Sequence, residues 1–343
     1  MGRHVNVPVF IPHLGCPNQC VFCNQRTISG VEKFDPENVR EQIDLALETI
    51  EDDAEVEIAF FGGSFTGIDR ELMVKLLDIG YSYIKADRVK SLRCSTRPDY
   101  IDEEIIGILK NYGVKTVELG LQSSCNSVLE KSKRGHYFEA EERSCRLIVE
   151  SSLELVGQMM IGLPGSDLDS ELETARFIIN AGARAARIYP TIVFRETELC
   201  QMTHDGEYTP LSLDDAISRS SKVLSLFVDA GVEVIRIGLQ ASEGLESRDS
   251  YVAGPNHPAL GELIIGEYYY EKILNILSTA NYAFDEHITV LVKPGSLSKA
   301  IGQNAKNKTR LKAVYKNIRF DESDGLKEYE VSVITRNGEI KCI

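Results

Sequence analysis

Residues 15–24 read Gly15-Cys16-Pro17-Asn18-Gln19-Cys20-Val21-Phe22-Cys23-Asn24, a C-x3-C-x2-C spacing directly after an apolar run, Val5–Ile11. So tight a loop wraps one corner of a cubane and offers three thiolates to a 4Fe–4S cluster, leaving the fourth iron without a protein ligand and open to chemistry. A structural zinc needs a fourth Cys or His with its own pair spacing. None is nearby in sequence, although His4 and His13 could be recruited. Three of the eight cysteines crowd into residues 16–23, while Cys94, Cys125, Cys145, Cys200 and Cys342 show no pairing pattern. That distribution points to a metal and a reducing compartment rather than to a disulfide scaffold.

Outward from the loop, short apolar runs alternate with longer amphipathic stretches up to about residue 230, the signature of βα units and a parallel sheet. Strands are expected near Val5–Ile11, Val56–Phe61, Leu92–Ser95, Thr116–Gly120, Leu153–Met160 and Ala186–Val193. Helices are expected after each, at Pro36–Ile50, Arg70–Ile84, Glu103–Asn111, Glu139–Glu150, Ser170–Ala181 and Leu213–Ala230. Six units are two short of a closed barrel, so the fold class is α/β, a partial (β/α)6 barrel with function at the C-terminal strand ends. A further strand at Val232–Leu239 and a loop through Ser242–Gly254 follow, and then the pattern changes to a small α+β domain. The boundaries this implies are 1–240, 241–259 for the connection and 260–343. No window approaches the roughly 20 apolar residues of a membrane span, and Met1–Val9 lacks the features of a signal peptide, so a cytoplasmic location and no membrane partner are expected.

The cysteine loop at the end of the first strand of such a barrel resembles the signature of the radical S-adenosylmethionine superfamily. The resemblance implies Cys16, Cys20 and Cys23 as ligands of a 4Fe–4S cluster, with S-adenosylmethionine chelated by the open iron and cleaved to a 5'-deoxyadenosyl radical. It implies Phe22 as the aromatic residue near the adenine. The second strand runs into Phe61-Gly62-Gly63-Ser64, a turn that in the family contacts the methionine amino group. Further cofactor contacts implied at strand ends are Gln122 in Glu118-Leu119-Gly120-Leu121-Gln122, Arg134 in Arg134-Gly135-His136, Pro164 after the fifth strand and Tyr189 in the sixth. Ser95 stands where many relatives have Glu, a contact that Glu118 could supply instead.

Ser95-Thr96-Arg97-Pro98-Asp99-Tyr100, Arg134-Gly135-His136 and Arg187-Ile188-Tyr189-Pro190-Thr191, together with Arg195 and Thr197-Glu198-Leu199, are similar to the catalytic subunit of Elongator and its bacterial relatives, which modify wobble uridine in transfer RNA. After the barrel pattern, residues 241–343 show no counterpart of that subunit's acetyltransferase domain. Radical generation is therefore carried over and the acetyl-derived product is not. The loop Tyr251–Pro258 offers His257 as a substrate contact or a turn-stabilising residue.

The chain carries 38 basic and 52 acidic residues, a net −14, which argues against a protein that coats nucleic acid with its whole surface. Residues 288–320 depart from this, with eight basic side chains and no acidic one, leaving −22 on the rest. The order there is strand Ile288–Val292, helix Ser296–Ile301, turn, helix Ala305–Ala313, strand Asn317–Asp321, with a last strand at Tyr329–Ile334. That order resembles a KH module, whose G-x-x-G turn clamps single-stranded nucleic acid, with Ala305 in place of the second glycine. Lys299, Gly302, Lys306, Lys308, Arg310 and Lys312 are then the candidate RNA contacts. The sequence thus reads as a radical S-adenosylmethionine enzyme acting on RNA, with ferredoxin or flavodoxin as electron donor. Its rivals are an enzyme for a small metabolite similar to the oxygen-independent coproporphyrinogen oxidases, and an iron–sulfur RNA-binding or redox-sensing protein.

Overall fold

The computed structural model describes residues 4–11, 14–16, 20–24, 34–51, 53–239, 251–279, 287–335 and 338–342. His13, residues 17–19 of the cysteine loop and residues 241–250 of the expected connection lie outside them. The chain divides into two compact units, residues 1–211 with 232–254, and residues 212–231 with 255–343.

In the first unit the six expected strands form: β1 (His4–Ile11), β2 (Glu55–Gly62), β3 (Ser91–Thr96), β4 (Val114–Gln122), β5 (Glu154–Ile161) and β6 (Ala185–Pro190). The chain leaves the sheet after Pro190, earlier than the expected Val193. Val193–Phe194 becomes a separate short strand, β7, which pairs antiparallel with β9 (Tyr251–Ala253). β8 (Glu233–Ile237) adds beside β6, so the sheet has seven parallel strands in the order β1-β2-β3-β4-β5-β6-β8. It is the expected partial α/β barrel, with β8 as a seventh strand.

Alternation along the strands divides the sheet into two chemistries. One face packs on the helices. The helix Arg70–Lys85 brings Gly80 against Leu92 and Phe60, and Gly157 of β5 lies against Ile178 of the helix Leu168–Asn180. Val9, Ile58, Phe60, Leu92, Val117, Leu119, Met159 and Ile188 on this face are all fully buried. The other face carries Glu57, Arg93, Glu118, Gln158 and Arg187, which hydrogen-bond to one another across strands β2 to β6.

Helix ends carry the local signals expected of them. Asp69, Asp102 and Asp167 are N-caps whose carboxylates accept from Leu72, Ile105 and Ser170 backbone N–H groups, and Asp167 and Ser170 complete a capping box. Two short helices, Asn126–Lys131 and Glu198–His204, have no clear signal in the sequence. At six and seven residues they are too brief to show an apolar period.

The second unit begins with the helix Leu213–Asp229, which the βα alternation places with the barrel. Here it packs on the long helix Leu260–Thr279, whose buried residues Leu260, Ile264, Tyr268, Tyr269, Ile273 and Leu277 occupy more than one stripe. A helix apolar around much of its circumference needs cover on several sides. The remaining sides face β12 (Val331–Thr335) and the two short helices Leu297–Ile301 and Lys306–Lys312. Strands β10 (His287–Val292) and β11 (Asn317–Glu322) pair in parallel, and β12 and β13 (Gly338–Cys342) continue antiparallel in the order β11-β10-β12-β13.

Candidate functional site

The cysteine loop is fastened to the C-terminal ends of the strands by backbone hydrogen bonds. Gly63 N–H donates to Ile11 O at 3.1 Å and Ser64 N–H to Leu14 O at 3.2 Å. A Cβ on Gly62 would lie 2.4 Å from Ile11 O, and one on Gly63 would lie 2.2 Å from Leu14 O. The glycine pair is therefore required by the close passage of the cysteine loop itself. On the far side of the loop, Val21 N–H donates to Ser132 O at 3.2 Å and Leu199 N–H to Val21 O at 2.8 Å. Val21 is buried with Val193, Leu199 and Tyr208, and Phe22 packs on that cluster. The short helix Glu198–His204 thus grips the loop, a role no local pattern signalled.

Cys20 is buried, and Cys16 and Cys23 are half-buried, none of the three in a disulfide. Cys23 N–H donates to Cys20 O at 3.0 Å. Two guanidinium groups approach Cys20: Arg134 Nη1 lies 3.2 Å from its Sγ, and Arg97 Nη1 lies 3.9 Å from it. Burial pushes the Cys16 thiol up, against the lowering charges of Arg97 and Arg134. Among the described residues no three His, Cys, Asp or Glu side chains gather around one ion position. A cluster that gives each thiolate its own iron does not need such convergence, and the nearby cations favour thiolates, so the donor set fits an iron–sulfur cluster.

Arg134 links Cys20 to the end of β4, which closes in a bulge where its register with β5 slips between Gly120 and Gln122. Gln122 takes φ 72° there, and its Oε1 is buried without a hydrogen-bond partner. Arg134 donates through Nη2 to Gly120 O, while its Nε is buried and unpartnered. A buried orphan acceptor on Gln122 and a buried orphan donor on Arg134, the second of these against Cys20, are what a polar ligand would satisfy.

The other sequence-derived positions are already engaged. Ser64 Oγ is bound to Thr96 Oγ1 at 2.8 Å and accepts from Arg97 N–H at 3.2 Å. Ser95 lies 3.4 Å from Gln158 Nε2. Glu118 is completely buried, and its carboxylate accepts from Arg93, Arg187 and Gln158. Burial raises this acid, but the charges and hydrogen bonds of Arg187 and Arg93 outweigh it and hold Glu118 below the usual carboxylate range. Tyr189 sits beside Arg187, its phenol pushed up by burial. Pro164 follows a turn in which Glu171 accepts from Gly162 N–H at 2.6 Å and Tyr208 donates to Gly162 O at 2.6 Å. His257 Nδ1 accepts from Ala259 N–H at 3.1 Å, a turn-stabilising contact.

Sequence reasoning assigned no role to Arg97, Asp99, His136 or Glu141, which stand behind Cys20. Arg97 forks onto Asp99, His136 lies between Arg97 and Glu141, and Arg97 also donates to the Arg134 carbonyl. Burial raises Asp99, yet the hydrogen bonds from His136 and Arg97 and their charges prevail and hold it far below the ordinary carboxylate range.

In the second unit the turn Gly302-Gln303-Asn304-Ala305 joins the two short helices, with Gly302 at φ 80°, Asn304 at φ 53° and Ala305 at φ 58°. Beside it a cleft of about 390 Å3 is lined by residues including Leu263, Lys299, Ile301 and Asn304. Lys306 and Lys312 are exposed and Lys308 is half-buried. Arg310 is committed elsewhere, bonded to Glu267 at 2.7 Å and stacked 3.4 Å over the Tyr270 ring, and Lys299 lies 3.6 Å from Glu328.

Residues 10–178 match the model of the radical SAM superfamily, and residues 183–270 match that of the Radical_SAM C-terminal domain. The chain belongs to the radical S-adenosylmethionine superfamily, a class of enzymes whose cofactors are a 4Fe–4S cluster and S-adenosylmethionine. Within it the similarity runs to the branch of the Elongator catalytic subunit. The tRNA uridine(34) acetyltransferase of Methanocaldococcus jannaschii is 34% identical over 142 residues, 40% of this chain and 26% of that protein. An uncharacterized protein of the same organism is 30% identical over 224 residues, 62% of this chain and 68% of its own length. The chain thus spans about a quarter of the acetyltransferase and about two thirds of the second relative. In structure, the archaeal Methanocaldococcus infernus Elp3 with an N-terminal deletion superposes with TM-score 0.62 at 24% identity, over 80% of this chain and 64% of that one. No described helix is long and apolar enough to cross a membrane.

Proposed function

We propose that this chain is a cytoplasmic tRNA-modifying enzyme that uses S-adenosylmethionine and a 4Fe–4S cluster bound by Cys16, Cys20 and Cys23. When bound, the reduced cluster supplies one-electron cleavage of S-adenosylmethionine. Gln122 and Arg134 orient the cofactor through their orphan polar atoms, and Phe22 offers an apolar surface. The arrangement that carries this reading is the buried Cys20 sulfur with Arg134 against it, Arg134 itself bonded to the bulged end of β4 that carries the unpartnered Gln122 Oε1. The substrate class is supported by similarity to a protein named for tRNA uridine(34) and by the lysines beside the G-x-x-A turn. A low-potential ferredoxin or flavodoxin is the donor.

Anaerobic reconstitution tests the first half. The parent should bind about four irons, as Cys-ligated clusters do, and Cys20→Ala should lose them. Cys145→Ala should not, since burial pushes that thiol up to about 12. For the substrate, gel shifts of transfer RNA at two salt concentrations should show a slope near 0.7 per phosphate contact on single strands. Reversal of Lys306, Lys308 and Lys312 to Glu should weaken binding and flatten that slope. Identical curves for parent and variant would return a small-metabolite substrate to first place.

A further inference from the structure

Arg97 stands just past the end of β3, 3% exposed, with no part in the proposal above. Its Nε and Nη2 donate to the two oxygens of Asp99, each at 2.9 Å. Nη2 also donates to the carbonyl of Arg134 and lies 3.3 Å from His136 Nδ1. Behind it, His136 Nε2 lies 3.2 Å from the fully buried Glu141. Asp99, the Arg134 carbonyl and His136 therefore fix this guanidinium, and its remaining nitrogen, Nη1, is directed at Cys20 Sγ at 3.9 Å. Arg134 approaches the same sulfur from its own Nη1 at 3.2 Å.

The consequence is electrostatic. A guanidinium keeps its charge at every working pH, and two of them converge on one sulfur with, among the described residues, a single carboxylate, Asp99, in direct contact with one of the pair. Buried charges are screened far less by salt than exposed ones. We propose that Arg97 is a positioning residue for the cluster: it holds the Arg134 backbone and places a second permanent positive charge beside Cys20, which raises the reduction potential of the bound cluster. This rests on the cluster reading above. The step affected is the one-electron reduction of the cluster from its 2+ to its 1+ state by an external low-potential iron–sulfur or flavin protein, because hydrogen bonds to ligand sulfur and local net charge set such potentials.

The test is an EPR-monitored redox titration of the reconstituted full chain, with iron content measured on the same samples. Arg97→Gln should make reduction about tenfold less favourable, which is about 59 mV more negative for a one-electron couple. Arg97→Lys, which keeps the charge, should restore a potential close to the parent's. Asp99→Asn breaks the same fork but deletes a negative charge, so its potential should move the opposite way. Damage to the loop alone would move Arg97→Gln and Asp99→Asn in the same direction, and that result, or an unmoved Arg97→Gln at full iron, overturns the proposal. Should Arg97→Gln lose its iron, a full cluster at parental potential in Arg97→Lys supports the proposal, and iron loss there too overturns it. A parent that takes up no iron refutes the cluster reading itself, a failure separate from any shift among the variants.

Discussion

Arg187 on β6 reaches past β5 to hold Glu118 of β4 with two hydrogen bonds, Nε to Oε2 at 2.8 Å and Nη2 to Oε1 at 3.0 Å. Arg93 takes Oε1 at 2.9 Å and Gln158 takes Oε2 at 2.9 Å, and Arg93 in turn bonds Glu57 on β2. Strands β2 to β6 are thereby laced together by alternating charges. Removing one partner of a buried ion pair leaves the other charge uncompensated. Glu118→Gln should therefore destabilise the apoprotein by roughly 3–5 kcal/mol. Urea midpoints check this, and a loss under about 1 kcal/mol, the range of a solvated surface pair, would mean that water reaches the network.

Gln122 combines an unfavourable φ of 72° with a buried acceptor that has no partner. Both cost stability in the absence of ligand. Gln122→Gly should keep or raise the apoprotein's melting temperature while weakening S-adenosylmethionine binding by roughly 1–3 kcal/mol, or about 5- to 150-fold in Kd. Calorimetry on the cluster-loaded protein measures the second effect, and parental affinity would place the cofactor away from Gln122.

Glu141 makes stability depend on pH. Burial pushes its carboxyl up to about 7, against the opposing hydrogen bond and charge of His136 and the charge of Arg134. The folded value lies above the ordinary 4.5, so the fold prefers the neutral acid. Its contribution is complete below pH 4.5, declines as pH rises toward 7 and is flat beyond, with a total of about 3 kcal/mol. Glu141→Gln stays neutral throughout, so its stability relative to the parent should grow between about pH 5 and pH 7, the window in which the parent's contribution is lost. A pH-independent difference in urea midpoint would contradict the assignment.

The turn in the second unit predicts two substitutions of opposite sign. Ala305 holds φ 58°, which glycine adopts freely, so Ala305→Gly should stabilise by roughly 1 kcal/mol. Gly302→Ala should destabilise, because its Cβ would lie 2.9 Å from Asn307 Cγ, and Asn307 is buried while donating to Gly266 O at 2.7 Å. Thermal unfolding of both variants measures the signs.

Much of this protein is legible as a string. The βα alternation, the C-x3-C-x2-C spacing after β1 and the turn residues at the strand ends are local patterns, and local patterns survive in one dimension. The seventh strand is visible as an apolar run, Val232–Leu239. What stays hidden is the choice of partners. Gly62 and Gly63 read as room for a ligand, and the sequence does not show that their missing Cβ atoms also make room for Ile11 and Leu14, about fifty residues earlier in the chain. Arg310 counts toward a basic patch until Glu267 and Tyr270 claim it. Arg97 meets Cys20 across a separation of 77 residues, and Glu118 meets Arg187 across 69. Composition fixes how many charges a chain has. Which of them are matched depends on the sheet that brings distant strand ends together, because hydrogen bonds and buried ion pairs act over a few ångströms of space and are indifferent to distance along the chain.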